Sequence, residues 1–318
     1  MAGTVQSNSL AVVMEKPEHL VLRHLDLLEP ADHDVIVRVE WSGISTGTER
    51  LLWSGRMPSF PGLGYPLVPG YESVGRITHA GPQSGRVVGE RVFVPGSRGF
   101  KDVRGLFGGA ASHIVAAGAK VILIDEALGK EGILLALAAT AYHALAAPNA
   151  VLPDLIVGHG VLGRLLARIA VALGAQPVVW EKDIQRAADA IGYTVMSPEA
   201  DTRKDYRSIY DVSGANGFTD TLISHLAPGG EIVLAGFYDA PISFNFAPAF
   251  MREARLRVAA EWRPADIAAV TTLLSEGRLS LAGLITHTEP AANAPGAYHT
   301  AFSNADCLKM VLDWRASA

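Results

Sequence analysis

Leu155-Ile156-Val157-Gly158-His159-Gly160-Val161-Leu162-Gly163, followed by Val178-Val179-Trp180-Glu181, decides the fold of this 318-residue chain. The first three residues read as a short buried strand, and the glycines at 158, 160 and 163 have the spacing of a dinucleotide-binding turn. Gly158 permits the tight turn off the strand, Gly160 lets the backbone approach a pyrophosphate, and Gly163 lets the following helix lie against the sheet. From Val161 onward Leu162, Leu165, Leu166, Ile169 and Leu173 recur on one side of a helix, whose unpaired first amides would face phosphate. Glu181 stands 23 residues beyond Gly158, close to the ~20-residue offset at which an acidic side chain reaches the ribose 2′-OH and favours NAD over NADP.

Strand and helix patterns alternate outward from this unit. Strands are expected at Leu155–Val157, Val178–Trp180, Ser208–Val212, Glu231–Ala235 and Leu256–Ala260, as in a parallel sheet with crossovers. Leu226-Ala227-Pro228-Gly229-Gly230 reads as a helix end and turn ahead of its strand. Asp211-Val212-Ser213-Gly214 and the glycine at 236 close strands at the edge where open α/β sheets hold cofactors. The expected cofactor-binding set is therefore Gly158, His159, Gly160, Val161, Leu162, Gly163, Glu181, Ser213 and Gly236, with NAD as the cofactor. His159, inside the glycine loop, is expected to face solvent or phosphate.

Before about Asp125 the chain has short β-like runs punctuated by Gly and Pro, among them Val35–Val39, Gly75–Ile77 and Arg91–Val94, which suggests a small barrel or sandwich. A buried apolar helix from about Glu131 to Ala147 bridges the two patterns. With 49% hydrophobic and 19% charged residues and a net charge of −5, the chain offers no basic field for nucleic acid. No run is long and apolar enough for a signal or a membrane span, so a cytoplasmic location is expected. Cys307 is the only cysteine, which rules out an intrachain disulfide and a cysteine metal cage; it reads as a small apolar residue on a C-terminal helix.

Gly43-Ile44-Ser45-Thr46-Gly47-Thr48-Glu49, Pro66-Leu67-Val68-Pro69-Gly70-Tyr71-Glu72-Ser73-Val74-Gly75 and Gly283-Leu284-Ile285-Thr286-His287, with the glycine turn, resemble the medium-chain dehydrogenase/reductase family over essentially the whole chain. The resemblance implies an α/β fold: a GroES-like β-rich catalytic domain over residues 1–146 with its bridging helix, a Rossmann doubly wound parallel sheet binding NAD over 147–265, and a return over 266–318 that completes the catalytic domain. Zinc-dependent members place ligands where Ser45, Tyr71 and, approximately, Ala136 stand here, and Pro95 to Gly109 has no cysteines for a structural zinc lobe. A metal-free reaction is expected. The relay hydroxyl of the zinc enzymes coincides with Gly47.

Longer strings, Trp41 to Glu49, Trp53-Ser54-Gly55, Phe60 to Glu72, Arg104 to Ala110, Pro153 to Arg164 and Ala247 to Met251, resemble the branch of that family that acts on bacteriochlorophyllides in bacteriochlorophyll biosynthesis. That resemblance implies NAD-dependent oxidation of a 3-(1-hydroxyethyl) group to 3-acetyl on a chlorin. Ser45, Thr48, Tyr71, Glu72 and His143 are the catalytic candidates: Tyr71 and Ser45 as polar contacts to the alcohol, Glu72 as their orienter, His143 as an alternative base. Trp41, Trp53, Met57, Phe60, Tyr65, Phe107, Phe237 and Tyr238 could line a wide flat cleft. A homodimer through the last Rossmann strand is also implied. Two other readings stay open: a zinc-free NAD(P)H quinone or enoyl reductase, against which Glu181 argues, and a non-catalytic dinucleotide-binding protein, against which Glu72 and the aromatic loops argue.

Overall fold

The computed structural model describes residues 6–97 and 99–317. In chain order the first elements are β1 (Asn8–Lys16), β2 (His19–Asp26), β3 (Asp34–Ile44), α1 (Thr48–Trp53), β4 (Ser73–Ala80), β5 (Arg91–Val94), β6 (His113–Ala117) and β7 (Ile122–Leu123). A 3₁₀ segment, Glu126–Leu134, leads into α2 (Leu135–Leu145). Then come β8 (Leu155–Val157), α3 (Val161–Ala172), β9 (Val178–Trp180), β10 (Thr194–Met196), β11 (Tyr206–Asp211), α4 (Thr219–His225), β12 (Leu226–Leu234), α5 (Phe246–Met251), β13 (Arg255–Val258) and α6 (Pro264–Ser275). The last elements are β14 (His287–Pro290), α7 (Ala294–Ser303) and β15 (Met310–Asp313).

Two compact units result, one built from the described residues up to Leu135 together with those from Leu284, the other from Ala136–Gly283. In the first, the long strand β3 pairs antiparallel with β4, β6 and β15, and a seven-stranded sheet runs β14-β15-β3-β4-β5-β7 with β6 attached to β3. β1 and β2 form a separate hairpin. Val35, Ile36, Val37, Val39 and Ile44 of β3 are buried, and each such side chain removed from water stabilises by roughly 1.5–3 kcal/mol. The β15 return matters for the site. It pairs Met310 with Ile44 and Leu312 with Ser42, so a residue near the C-terminus is carried to the loop that follows β3.

The second unit is an all-parallel sheet in the order β10-β9-β8-β11-β12-β13. Numbered from β8, that order is 3-2-1-4-5-6, the doubly wound arrangement whose direction reverses beside β8. Leu165, Leu166 and Ile169 of α3 are fully buried, as the apolar spacing requires.

Several expectations need correction. The bridging helix is not continuous from Glu131: a 3₁₀ run extends to Leu134, and Gly129 breaks it with φ 49° and ψ −136°. Residues 226–230 are not a helix end, because α4 stops at His225 and β12 begins at Leu226. Cys307 lies in the turn between α7 and β15, buried, rather than on a helix. The compact units divide at 135/136 and 283/284, against the expected 146/147 and 265/266; α6 packs Ile267, Val270 and Leu273 inward and belongs to the second unit. Among the described residues no helix is long and apolar enough to cross a membrane.

Candidate active site

The glycine loop has the shape its sequence implies. Gly158 turns off β8 with φ +102°, and a Cβ on Gly163 would stand 1.9 Å from the Gly158 carbonyl oxygen, so no larger residue fits while α3 starts where it does. Nothing lies within 4 Å of a Cβ position on Gly160, which leaves its backbone open to a phosphate. Glu181 closes β9, and its carboxylate accepts the His159 amide at 3.1 Å and the Asp183 amide at 3.0 Å. The acid is thus tied to the loop it would serve. Ser213 and Gly236 meet at the ends of β11 and β12: Asp211 accepts from the Ser213 amide and hydroxyl at 2.9 and 2.6 Å, and the Gly236 amide donates to the Asp211 carbonyl at 3.0 Å. These residues could hold a dinucleotide, with the Val161 and Leu162 amides opening α3.

His159 departs from expectation. Its ring is fully buried, with Nδ1 on the Arg186 carbonyl at 2.5 Å and Nε2 on the Tyr193 hydroxyl at 2.9 Å. Burial lowers its pKa, and the neutral ring braces the loop from inside instead of facing solvent or phosphate. His143 also lies in the second unit, where its Nδ1 meets Asp266 at 2.8 Å. Asp266 in turn accepts the Arg263 amide at 2.7 Å and closes the first turn of α6.

In the first unit the loop after β3 and the segment before β4 bring Ser45 and Tyr71 together: the Tyr71 hydroxyl donates to Ser45 Oγ at 2.7 Å. Burial, and then the neighbouring Glu72, push the phenol pKa well above its ordinary value, while the Ser45 and Thr48 hydroxyls oppose the rise. Tyr71 therefore works as a neutral hydroxyl. Glu72 is fully buried and ion-paired with Lys309; burial raises its pKa and Lys309 pulls it back.

Three residues of this cluster escaped the sequence reading: Glu49, Tyr298 and Lys309. Glu49 Oε1 accepts the Ser45 amide at 3.2 Å and Glu49 Oε2 accepts the Tyr298 hydroxyl at 2.7 Å. Glu49 stood inside a quoted motif, yet an acid at the start of a helix looks like ordinary end chemistry. Tyr298 and Lys309 are 249 and 237 residues away from their partners, and no local pattern marks them.

Zinc needs three sulfur, nitrogen or carboxylate donors with a fourth position open. Here Ser45 and Tyr71 are bonded to each other and Ala136 is a buried methyl; among the described residues no three His, Cys, Asp or Glu gather as a metal site. The donor set does not fit zinc. Of the aromatic residues, Phe107 meets Tyr71 edge-on at 5.2 Å, Trp53 packs on Phe302 at 5.6 Å, and Trp41 lies under Arg91 and Arg315. Met57 is buried in the core, with Phe60 and Tyr65 packed against it. In the second unit Phe237 is exposed and Tyr238 donates to the Asp211 carbonyl at 3.2 Å.

Residues 31–126 match the alcohol dehydrogenase GroES-like domain. The chain is 57% identical over 314 residues, 97% of its length and 99% of the relative's, to the 2-desacetyl-2-hydroxyethyl bacteriochlorophyllide A dehydrogenase of Cereibacter sphaeroides. It is 55% identical over 306 residues to the protein of that name in Rhodobacter capsulatus, covering 96% of this chain and 98% of the other. Among solved structures, an alcohol dehydrogenase of Escherichia coli CFT073 complexed with NADH superposes with a TM-score of 0.81 at 21% identity, over 97% of this chain and 100% of that one. A Sinorhizobium meliloti 1021 dehydrogenase bound to NADP gives 0.80 at 19% identity, with coverage of 97% and 100%.

Proposed function

The chain belongs to the 2-desacetyl-2-hydroxyethyl bacteriochlorophyllide A dehydrogenases of the medium-chain dehydrogenase/reductase family, and on that premise we propose that it oxidises the hydroxyethyl side chain of a bacteriochlorophyllide to acetyl, with NAD and without catalytic zinc. The observation that carries this reading is the 57% identity along 97% of the chain.

A bound nicotinamide would supply the acceptor for the hydride of the carbinol carbon. Gly158, Gly160 and Gly163, with the first amides of α3, hold the pyrophosphate. The fixed Glu181 carboxylate accepts from ribose hydroxyls and repels a 2′-phosphate, which favours NAD. Ser213 and Gly236 border the cofactor at the strand ends. Ser45 Oγ and Tyr71 Oη bind the alcohol. Because Tyr71 stays neutral, this hydroxyl pair orients the substrate and relays the carbinol proton to solvent water, each oxygen accepting one proton as it gives up another. Burial, and then Glu72 held by Lys309, keep Tyr71 from ionising. His143, bonded to Asp266, is the alternative proton acceptor.

Incubation with NAD and a 3-(1-hydroxyethyl) bacteriochlorophyllide should convert the pigment absorption to that of the acetyl product in metal-free buffer. No conversion, with NAD binding intact, would sink the reading; activity that follows added zinc would sink its metal-free part.

The proposal extends to a cytoplasmic homodimer. β13 is a sheet edge exposing Val258, and α5 beside it exposes Phe246, Phe250 and Met251; such a patch is covered when two edges pair. Val258→Lys should halve the mass seen by light scattering, whereas an unchanged mass would remove this edge as the interface.

A further inference from the structure

Glu49 stands outside the roles given above, yet it is hydrogen-bonded to the loop that carries Ser45. The side chain is fully buried, and an ionised carboxylate in such a place costs several kcal/mol unless it is hydrogen-bonded. Its two oxygens are spent on two different elements: Oε1 takes the Ser45 amide, in the loop after β3, and Oε2 takes the Tyr298 hydroxyl, on α7. Tyr298 is itself fully buried against Phe302, 5.7 Å away edge-on, so it provides a fixed anchor. Ser45, hung from that anchor, receives the Tyr71 hydroxyl.

We infer that Glu49 is a positioning residue for the reaction: clamped to Tyr298, it fixes the Ser45 backbone, and through it the place of Ser45 Oγ and the Tyr71 hydroxyl. The inference rests on the reading of Ser45 and Tyr71 as the substrate's hydroxyl contacts. A group displaced by about 1 Å at a reacting centre can cost on the order of a hundredfold in rate, which gives the clamp its importance.

The clamp is sensitive to protonation. The ionised carboxylate accepts on both oxygens; a proton on Oε1 would oppose the Ser45 N–H, and one on Oε2 would force the Tyr298 hydroxyl to turn from donor to acceptor. Burial raises the Glu49 pKa to about 7, with Glu72 adding to the rise, while the Tyr298 hydroxyl, Lys309 and the Ser45 amide hold it down. Those groups, with the Tyr71 phenol, are the titratable and charged neighbours contributed by the segments before β4 and β15 and by α7 and the Ser45 loop.

Full-length Glu49→Gln, Tyr298→Phe and Tyr71→Phe are assayed with NAD and the hydroxyethyl chlorin from pH 5.5 to 9, alongside the dinucleotide dissociation constant and melting temperature. Glu49→Gln should lower kcat by about tenfold to a hundredfold, leave NAD affinity unchanged, and abolish the fall in kcat expected of the unmodified chain below about pH 7. Tyr298→Phe should fold, lose less activity, and move that inflection upward, because it removes a bond that favours the ionised form. The assignment is overturned if Glu49→Gln keeps kcat, if it keeps the acid limb, or if Tyr298→Phe leaves the inflection in place; this last readout decides the matter should Glu49→Gln fail to fold. An unchanged kcat in Tyr71→Phe would mean that the reading of the hydroxyl pair has failed. Loss in Tyr71→Phe without loss in Glu49→Gln removes the clamp alone.

Discussion

The Tyr71 hydroxyl donates to Ser45 Oγ at 2.7 Å, which joins the segment before β4 to the loop after β3. With burial and Glu72 keeping the phenol neutral, its contribution is a directed hydrogen bond. Ser45→Ala removes the acceptor and leaves Tyr71 with one partner fewer. It should lower kcat by about tenfold to a hundredfold at unchanged NAD affinity, and a rise in KM alone would show that Ser45 contributes only uniform binding.

Lys309 is the counter-ion of the fully buried Glu72: it pairs with Oε2, and Oε1 has no hydrogen-bond partner. Removing one member of a buried pair strands the other charge at a cost of about 3–5 kcal/mol, whereas removing both is far milder. Lys309→Met should therefore lower the urea midpoint strongly, and Lys309→Met with Glu72→Gln should recover much of the loss. Equal destabilisation in the single and the double variant would show that the ion pair is not what Lys309 supplies.

Glu49 also leaves a mark on stability. Its carboxyl is raised from 4.5 to about 7 in the folded chain, so between those values the native state holds a proton that the unfolded chain has released. The stability tied to that proton is fully present below pH 4.5 and lost as pH rises through 7. At about 1.4 kcal/mol per pKa unit the swing is on the order of 3 kcal/mol. Relative to the unmodified chain, Glu49→Gln should gain that amount in urea unfolding between pH 4.5 and 8; a constant difference across that range would contradict the shift.

How much of this was legible in the sequence follows from distance along the chain. The β8–α3–β9 unit was readable because strand, turn, helix and acid fall within 27 residues, Leu155 to Glu181, and each has a local signature. Tyr71 and Ser45 were reachable only because their motifs resemble a family. Tyr298 and Lys309 were not, since the β15 return alone brings Lys309 to Glu72 and α7 alone brings Tyr298 to Glu49. His159 misled for another reason: a histidine in a glycine loop reads as exposed, and the carbonyl of Arg186 and the hydroxyl of Tyr193 that bury it come from the segment between β9 and β10, which has no periodic pattern.

Glu181 has two jobs that a single substitution can separate. Its oxygens fix the His159 and Asp183 amides, and on the proposed reading its charge discriminates at the ribose. Glu181→Gln keeps an acceptor for one amide and removes the charge, while Glu181→Ala removes both. Loss of repulsion at the 2′ position should cut the ratio of kcat/KM for NAD over NADP by about tenfold or more in either variant, since a like-charge contact costs at least 1–2 kcal/mol in a partly shielded site. Absolute NAD affinity should fall further in Glu181→Ala, because the loop amides lose their partner and the glycine turn loosens. If Glu181→Gln preserves the NAD preference, the carboxylate serves the loop alone and cofactor choice lies elsewhere in the second unit.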